Sequence, residues 1–117
     1  MTATHVVARQ VEAYNAADLE GFLACYAPGV MIRSGEGEVL NDGIEAMRAT
    51  YGGWFGSLPG LHAEVLTRME RGSWVVDEEH VTASGLDVRA LVAYRVRDGL
   101  IDHVVIMTDE DVSPDPA

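Results

Sequence analysis

At 117 residues and 48% apolar side chains, the chain can close one hydrophobic core, has little left for a second domain, and is too apolar to be disordered as a whole. Nineteen acidic residues against eight arginines give a net charge of -11, a surface that repels phosphate backbones and anionic lipid, so neither nucleic acid nor membrane is expected as a partner. No apolar run approaches the ~18 residues of a membrane span, and Met1-Thr2-Ala3-Thr4-His5 lacks the basic-then-apolar order of a secretory leader, so a cytoplasmic location is expected.

Val7, Val11 and Tyr14 recur at helical spacing and predict a first helix over Ala3–Ala16. Asn15-Ala16-Ala17-Asp18 interrupts it. Asp18 then stands as the cap of a second helix whose stripe is Leu19, Phe22, Leu23 and Tyr26. Cys25 falls in that apolar pattern, which reads as a buried, inert thiol, and a lone cysteine closes no internal disulfide. Pro28-Gly29 ends the helix, Val30–Ser34 reads as a strand, and Gly35-Glu36-Gly37 turns the chain into a short apolar piece at Val39-Leu40. Asp42-Gly43-Ile44-Glu45 has the form of a capping box, in which each acidic residue answers an amide of the other. It opens a third helix with Ile44, Met47, Tyr51 and Trp54 or Phe55 on one side and Leu58-Pro59-Gly60 as its stop.

From Leu61 the apolar period becomes two. Leu61–Glu70 and Ser73–Ala83 form a hairpin across Arg71-Gly72, and Val88–Arg97 and Leu100–Asp109 form another across Asp98-Gly99. Residues 1–109 thus read as a single α+β domain, helices first and a curled antiparallel sheet after them, with a hollow between. Residues 110–117, with Pro114 and Pro116, read as an acidic tail that frays.

If Arg71-Gly72 is a two-residue loop, His62, Glu64 and Arg68 share one sheet face with Asp77 and Glu79. Two neighbouring acids, one of them desolvated, divide into an acid and a base. The same row also suits a solvated or dimer-facing side whose charges pair. A one-residue bulge would reverse the face, so parity leaves inside and outside open. In the second hairpin, Arg95 falls opposite Asp102 and Tyr94 opposite His103, the latter two on the more apolar face with Val92, Val96, Ile101, Val105 and Met107. His103 there is either a hydrogen-bonded core residue or a catalyst. No His-x-His, His-Glu-x-x-His or paired-cysteine spacing is present, so no metal is expected. Gly52-Gly53 lacks the strand-to-helix context of a phosphate loop, there is no Gly-x-Ser-x-Gly elbow, and no cofactor is expected.

Val11-Glu12-Ala13-Tyr14-Asn15-Ala16-Ala17-Asp18-Leu19, Cys25-Tyr26-Ala27-Pro28, Asp42-Gly43-Ile44-Glu45-Ala46-Met47 and Tyr94-Arg95-Val96-Arg97-Asp98-Gly99-Leu100-Ile101 together resemble the nuclear-transport-factor-2-like superfamily, in particular its SnoaL-like branch. The resemblance spans nearly the whole chain. It implies a cone-shaped barrel of strongly bent antiparallel sheet wrapped around three N-terminal helices, an apolar pocket at the wide end, and a homodimer through the sheet. Its members include ketosteroid isomerases, limonene epoxide hydrolase and polyketide cyclases, so the fold leaves the chemistry to the pocket residues.

Aligned on Asn15, Asp18 and Gly99, the isomerase base falls at Ser34, its oxyanion tyrosine at Gln10 and its protonated acid at Ala93; Tyr51 alone is retained. Ketosteroid isomerisation by the family route is therefore not expected. Arg68-Met69-Glu70 and Asp87-Val88-Arg89 do not match the Asp-Arg-Asp group of the epoxide hydrolase, whereas cyclase chemistry asks for only one pocket acid. The resulting expectation is a pocket for a small apolar molecule, with Tyr14, Tyr26, Tyr51, Trp54 and Tyr94 as ligand-binding residues. Isomerase- or cyclase-type acid-base chemistry would be led by Asp77, Glu79 or His103. The alternative is a non-catalytic binding or dimerisation module.

Overall fold

The computed structural model describes residues 2–108, so the tail read at 110–117 lies outside the described residues. Helix α1 (Ala3–Asn15) is capped by Thr2, whose hydroxyl accepts the His5 amide at 3.1 Å, and it buries Val6, Val7 and Gln10. Helix α2 (Leu19–Leu23) is capped by the Asp18 carboxylate, which accepts the Gly21 amide at 3.0 Å. It is shorter than its stripe predicts. Tyr26 opens strand β1 (Tyr26–Ser34) instead, because its backbone pairs with Ile101. The pairing lapses between Tyr26 and Met31, around Pro28, which has no amide to give a ladder.

Strand β2 (Val39–Asp42) pairs with β1 and leads into helix α3 (Ile44–Ser57). The capping box does not form, because Asp42 is held in β2 opposite Met31. Gly43 takes the cap position at φ 92°, where a β-carbon would be strained, and its amide donates to the Val30 carbonyl at 2.7 Å. Glu45 pairs with Arg48 at 3.3 Å. Gly52 lets α3 lie against α2, since a β-carbon there would stand 3.3 Å from Leu19 Cδ2.

Strands β3 (His62–Arg71), β4 (Trp74–Ala83), β5 (Leu86–Arg97) and β6 (Leu100–Thr108) complete a six-stranded sheet in the order β2-β1-β6-β5-β4-β3. Its β1–β6 pair is parallel and the others antiparallel, so the sheet is mixed rather than wholly antiparallel. The fold is α+β. The sheet stays open along β2 and β3 and bends as a cone over the helices. On the open edge, the Asn15 side chain acts as one rung of a missing strand: its Nδ2 donates to the Ala63 carbonyl at 3.0 Å and its Oδ1 accepts the Ala63 amide at 2.7 Å.

Two bulges decide which side chains face the helices. The β3–β4 loop is Gly72-Ser73, with Arg71 opposite Trp74 and Arg68 opposite Asp77; the register then slips at Leu66, so that Val65 meets Glu79 and Glu64 meets His80. Leu66 therefore splits the polar row predicted for one face. Arg68 stays with Asp77 and Glu79 inside, while His62 and Glu64 turn outward and are exposed. In the β5–β6 hairpin the extra residue is Asp102, which moves His103 opposite Arg95 and Val104 opposite Tyr94. Tyr94 and His103 thus occupy opposite faces, against the expectation of a shared one.

Candidate functional site

Between the helices and the inner face of the sheet lies a cavity of about 400 Å³, within the size range of small-molecule sites. Its walls come from α1 (Gln10, Val11, Tyr14), α2 (Phe22), α3 (Tyr51, Trp54) and the inward positions of the sheet. Phe22 is the hub of the aromatic wall, with ring centroids 4.9 Å from Tyr51, 5.0 Å from Tyr26 and 5.8 Å from Tyr14. Tyr51 stands edge-on to Trp54 at 4.8 Å. The chain has 4 tyrosines, and Tyr14, Tyr26, Tyr51 and Tyr94 all line the cavity. Trp54 does so while 42% exposed.

Glu79 is the one acidic residue among the lining residues, and no arginine or histidine accompanies it there. It is buried, and Tyr94 donates to its Oε2 at 2.7 Å. Burial pushes its carboxyl up to about 7; the Asp77 charge adds to that rise, while the Tyr94 hydrogen bond and Arg68 oppose it. Burial, and then the charge of Glu79, pushes Tyr14 up to about 12 and raises Tyr94; burial, then Tyr14 and Glu79, raises Tyr51, so these phenols keep their protons at neutral pH. Tyr26 donates to Gln10 Oε1 at 2.9 Å.

Asp77 precedes Glu79 by two residues on the same face but is absent from the cavity wall. It is fully buried, and Arg68 grips it with two parallel bonds, Nε to Oδ1 at 2.7 Å and Nη2 to Oδ2 at 2.8 Å. His103 lies on the outer face, edge-on to Trp74 at 6.2 Å, because the Asp102 bulge turns it away from Tyr94. Partial burial, and then the nearby Arg95 and Arg33, lower its pKa. Of the three acid-base candidates, Glu79 alone reaches the cavity. Sequence reasoning met Gln10 only as the position of the family's oxyanion tyrosine, and it grouped Arg68 with Asp77 on one face without singling out the two-bond grip between them. Gln10 carried a signal, being a polar residue on the helical stripe of Val7 and Tyr14.

A model of the SnoaL-like domain matches residues 7–104. The chain belongs to that family. Among solved structures it is similar to an uncharacterised cystatin-fold protein from Novosphingobium aromaticivorans (TM-score 0.83, 22% identity, 91% of this chain and 97% of that one). It also resembles a provisionally named ketosteroid isomerase from Kribbella flavida (TM-score 0.80, 17% identity, 98% and 83% covered). A provisionally named SnoaL-like polyketide cyclase from Jannaschia sp. is likewise similar (TM-score 0.77, 19% identity, 96% and 93% covered). Likeness at these identities establishes the cystatin-like, nuclear-transport-factor-2-like fold and leaves the activity to the site. No curated protein matches the sequence.

In this SnoaL-like chain none of the three isomerase positions implied by the resemblance offers an acid to the cavity. Gln10 is occupied by Tyr26; Ser34 ends β1, its hydroxyl accepting the Glu36 and Glu38 amides at 3.3 and 3.2 Å; Ala93 lies between the inward Val92 and Tyr94 and so faces outward. Among the described residues, no cluster of three His, Cys, Asp or Glu could hold a metal, and no helix is long and apolar enough to cross a membrane.

Proposed function

We propose that this SnoaL-like chain binds a small, mostly apolar molecule in its cavity and exchanges a proton with it at Glu79, the acid-base step that isomerase- and cyclase-type reactions share. The observation that carries this reading is a single carboxyl, held near pKa 7 by burial, in the wall of an otherwise apolar and aromatic cavity. A group with that pKa is populated in both forms at neutral pH and serves as base and then as acid. Tyr94 fixes Oε2, which leaves Oε1 to accept a proton from a C–H or O–H of the ligand and to return it. The aromatic wall supplies contact area and keeps water from the carboxyl.

The test uses 2-tetralone, a small apolar ketone with exchangeable C–H bonds. In heavy water, wild-type protein is expected to accelerate deuterium uptake at the carbon beside the carbonyl, and Glu79→Gln to lose that acceleration. Saturable binding with no acceleration in the wild type would leave a non-catalytic ligand-binding module, and the absence of saturable binding would remove the pocket reading as well.

The outer sheet face supports a second copy of the chain as partner. Met69 (64% exposed), Leu91 and Trp74 form apolar surface there, beside Arg89 and Arg95 of a chain otherwise dominated by acids. We expect a homodimer through this face, broken by Leu91→Asp. Sedimentation of the wild type as a monomer at tens of micromolar, where a ~1,600 Å² interface holds, would rule it out.

A further inference from the structure

The cavity offers a ligand electron-rich groups and a negative charge, and no positive one. Glu79 Oε2 accepts from Tyr94, but Oε1 has no hydrogen bond within the described protein. Among the described residues no buried side-chain oxygen or nitrogen is without a partner, so Oε1 keeps accessible surface, and the cavity is what Glu79 borders. The nearest cation, Arg68, spends Nε and Nη2 on Asp77. The charge of Glu79 is felt by Tyr14, Tyr26, Tyr51 and Tyr94 alike, so the carboxyl sits amid the phenols. The Tyr14 and Tyr51 hydroxyls carry no protein hydrogen bond either, and by the same reasoning each has an accessible oxygen that can accept an N–H.

A carboxylate with one free oxygen, ringed by aromatic faces and lacking a cationic side chain, is the complement of an ammonium group on an apolar body: the carboxylate takes the N–H, and the rings take the positive charge and the hydrocarbon. From this geometry we infer that the ligand of the cavity is a hydrophobic amine, bound as its ammonium ion with an N–H on Glu79 Oε1. An anionic ligand would bring a second negative charge against Glu79 with nothing to answer it. A neutral ligand would leave Oε1 with at most a hydroxyl. The inference rests on the cavity being the ligand site and is independent of turnover. Because burial holds the Glu79 carboxyl near 7, the carboxylate predominates at pH 8, where an alkylammonium also keeps its proton.

The test is one carbon skeleton with three heads: 2-naphthylmethylamine, 2-naphthylmethanol and 2-naphthoate, titrated calorimetrically into the full chain at pH 8. The amine is expected to bind ~10-fold more tightly than the alcohol, and the carboxylate more weakly than both. Its advantage should shrink as the pH falls below about 7, since protonating Glu79 removes the charge that selects it. Glu79→Gln, checked for a cooperative melt, should bring amine and alcohol to equal affinity. Wild-type affinity for the amine equal to or below that for the alcohol would overturn the inference while the cavity stands as a ligand site, and this ranking needs no variant. Binding of none of the three would overturn the inference and the ligand-site reading together. An amine advantage that survives in Glu79→Gln would assign the ammonium to the aromatic wall alone and overturn the role given to Oε1.

Discussion

Two acidic residues on one face of β4 have opposite fates. Asp77 is fully buried away from the cavity and is answered by the two bonds from Arg68; Glu79, two residues on, faces the cavity and is answered by one phenol. The chemistry of the two side chains is nearly identical, so the difference is made by the neighbouring strand. β3 presents Arg68 to Asp77, and after the Leu66 bulge it presents Val65 to Glu79. A buried charge that is paired serves the structure, and one left without a counter-charge is free for a ligand.

The comparison breaks most visibly at Arg68. Arg68→Met strands the fully buried Asp77 carboxylate, with an expected loss of about 3–5 kcal/mol in denaturant unfolding at pH 7. Asp77→Asn in the same chain should recover much of it. Equal losses in the single and double variants would mean that the pair is not a unit.

At Glu79 the sign is opposite. Its folded pKa of about 7 lies above the ordinary 4.5, so the folded state holds the proton more tightly and this group's contribution to stability is present in full below about 4.5 and lost as pH rises through about 7. Between those two values stability should fall by about 3 kcal/mol as pH rises, and Glu79→Gln should remove that slope and be the more stable protein at pH 8. Denaturant midpoints at pH 5 and pH 8 measure it. Tyr94→Phe removes the bond that favours the carboxylate, so the Glu79 midpoint, followed by carboxyl-carbon NMR, should rise further.

Trp54→Ala sharpens the contrast between cavity wall and core. Being 42% exposed, Trp54 should contribute more to ligand than to fold: binding of neutral 2-naphthylmethanol should weaken by ~1–3 kcal/mol, with a smaller drop in unfolding free energy. The reverse ranking would make it a core residue. The smallest effect is expected at His103, which packs on Trp74 outside the cone; His103→Ala should leave ligand affinity within ~0.5 kcal/mol of wild type.

The helices, the late hairpins and the aromatic side of α3 were legible in the sequence because periodicity and turn chemistry are local. The family followed from the order of four loose motifs. What local pattern could not carry was strand phase. His62 and Glu64 were grouped with Glu79, and His103 with Tyr94, and in each case one extra residue, Leu66 or Asp102, reversed the face. The β1 strand was cut short and given a helical Tyr26 because its pairing partner, Ile101, is remote in the chain. The capping box at Asp42 failed for a related reason: the strand claimed the residue before the helix could. Glu79 was named from the sequence beside Asp77 with nothing to separate them, since what separates them is Arg68 on another strand.

The Leu66 bulge also holds a second phase of β3 in reserve. If the ladder set by Arg68 and Asp77 ran on with Leu66 taken into it, Leu66 would fall opposite Glu79, Glu64 opposite Val81 and His62 opposite Ala83, turning Glu64 and His62 inward in place of Ala63 and Val65. An apolar mouth would acquire an imidazole and a second carboxyl without one substitution inside the pocket. The tie from Asn15 to the Ala63 backbone is what such a slip would have to break first. In a lineage where that side chain is lost, a change of strand phase, rather than replacement inside the pocket, becomes the shortest path to a new ligand.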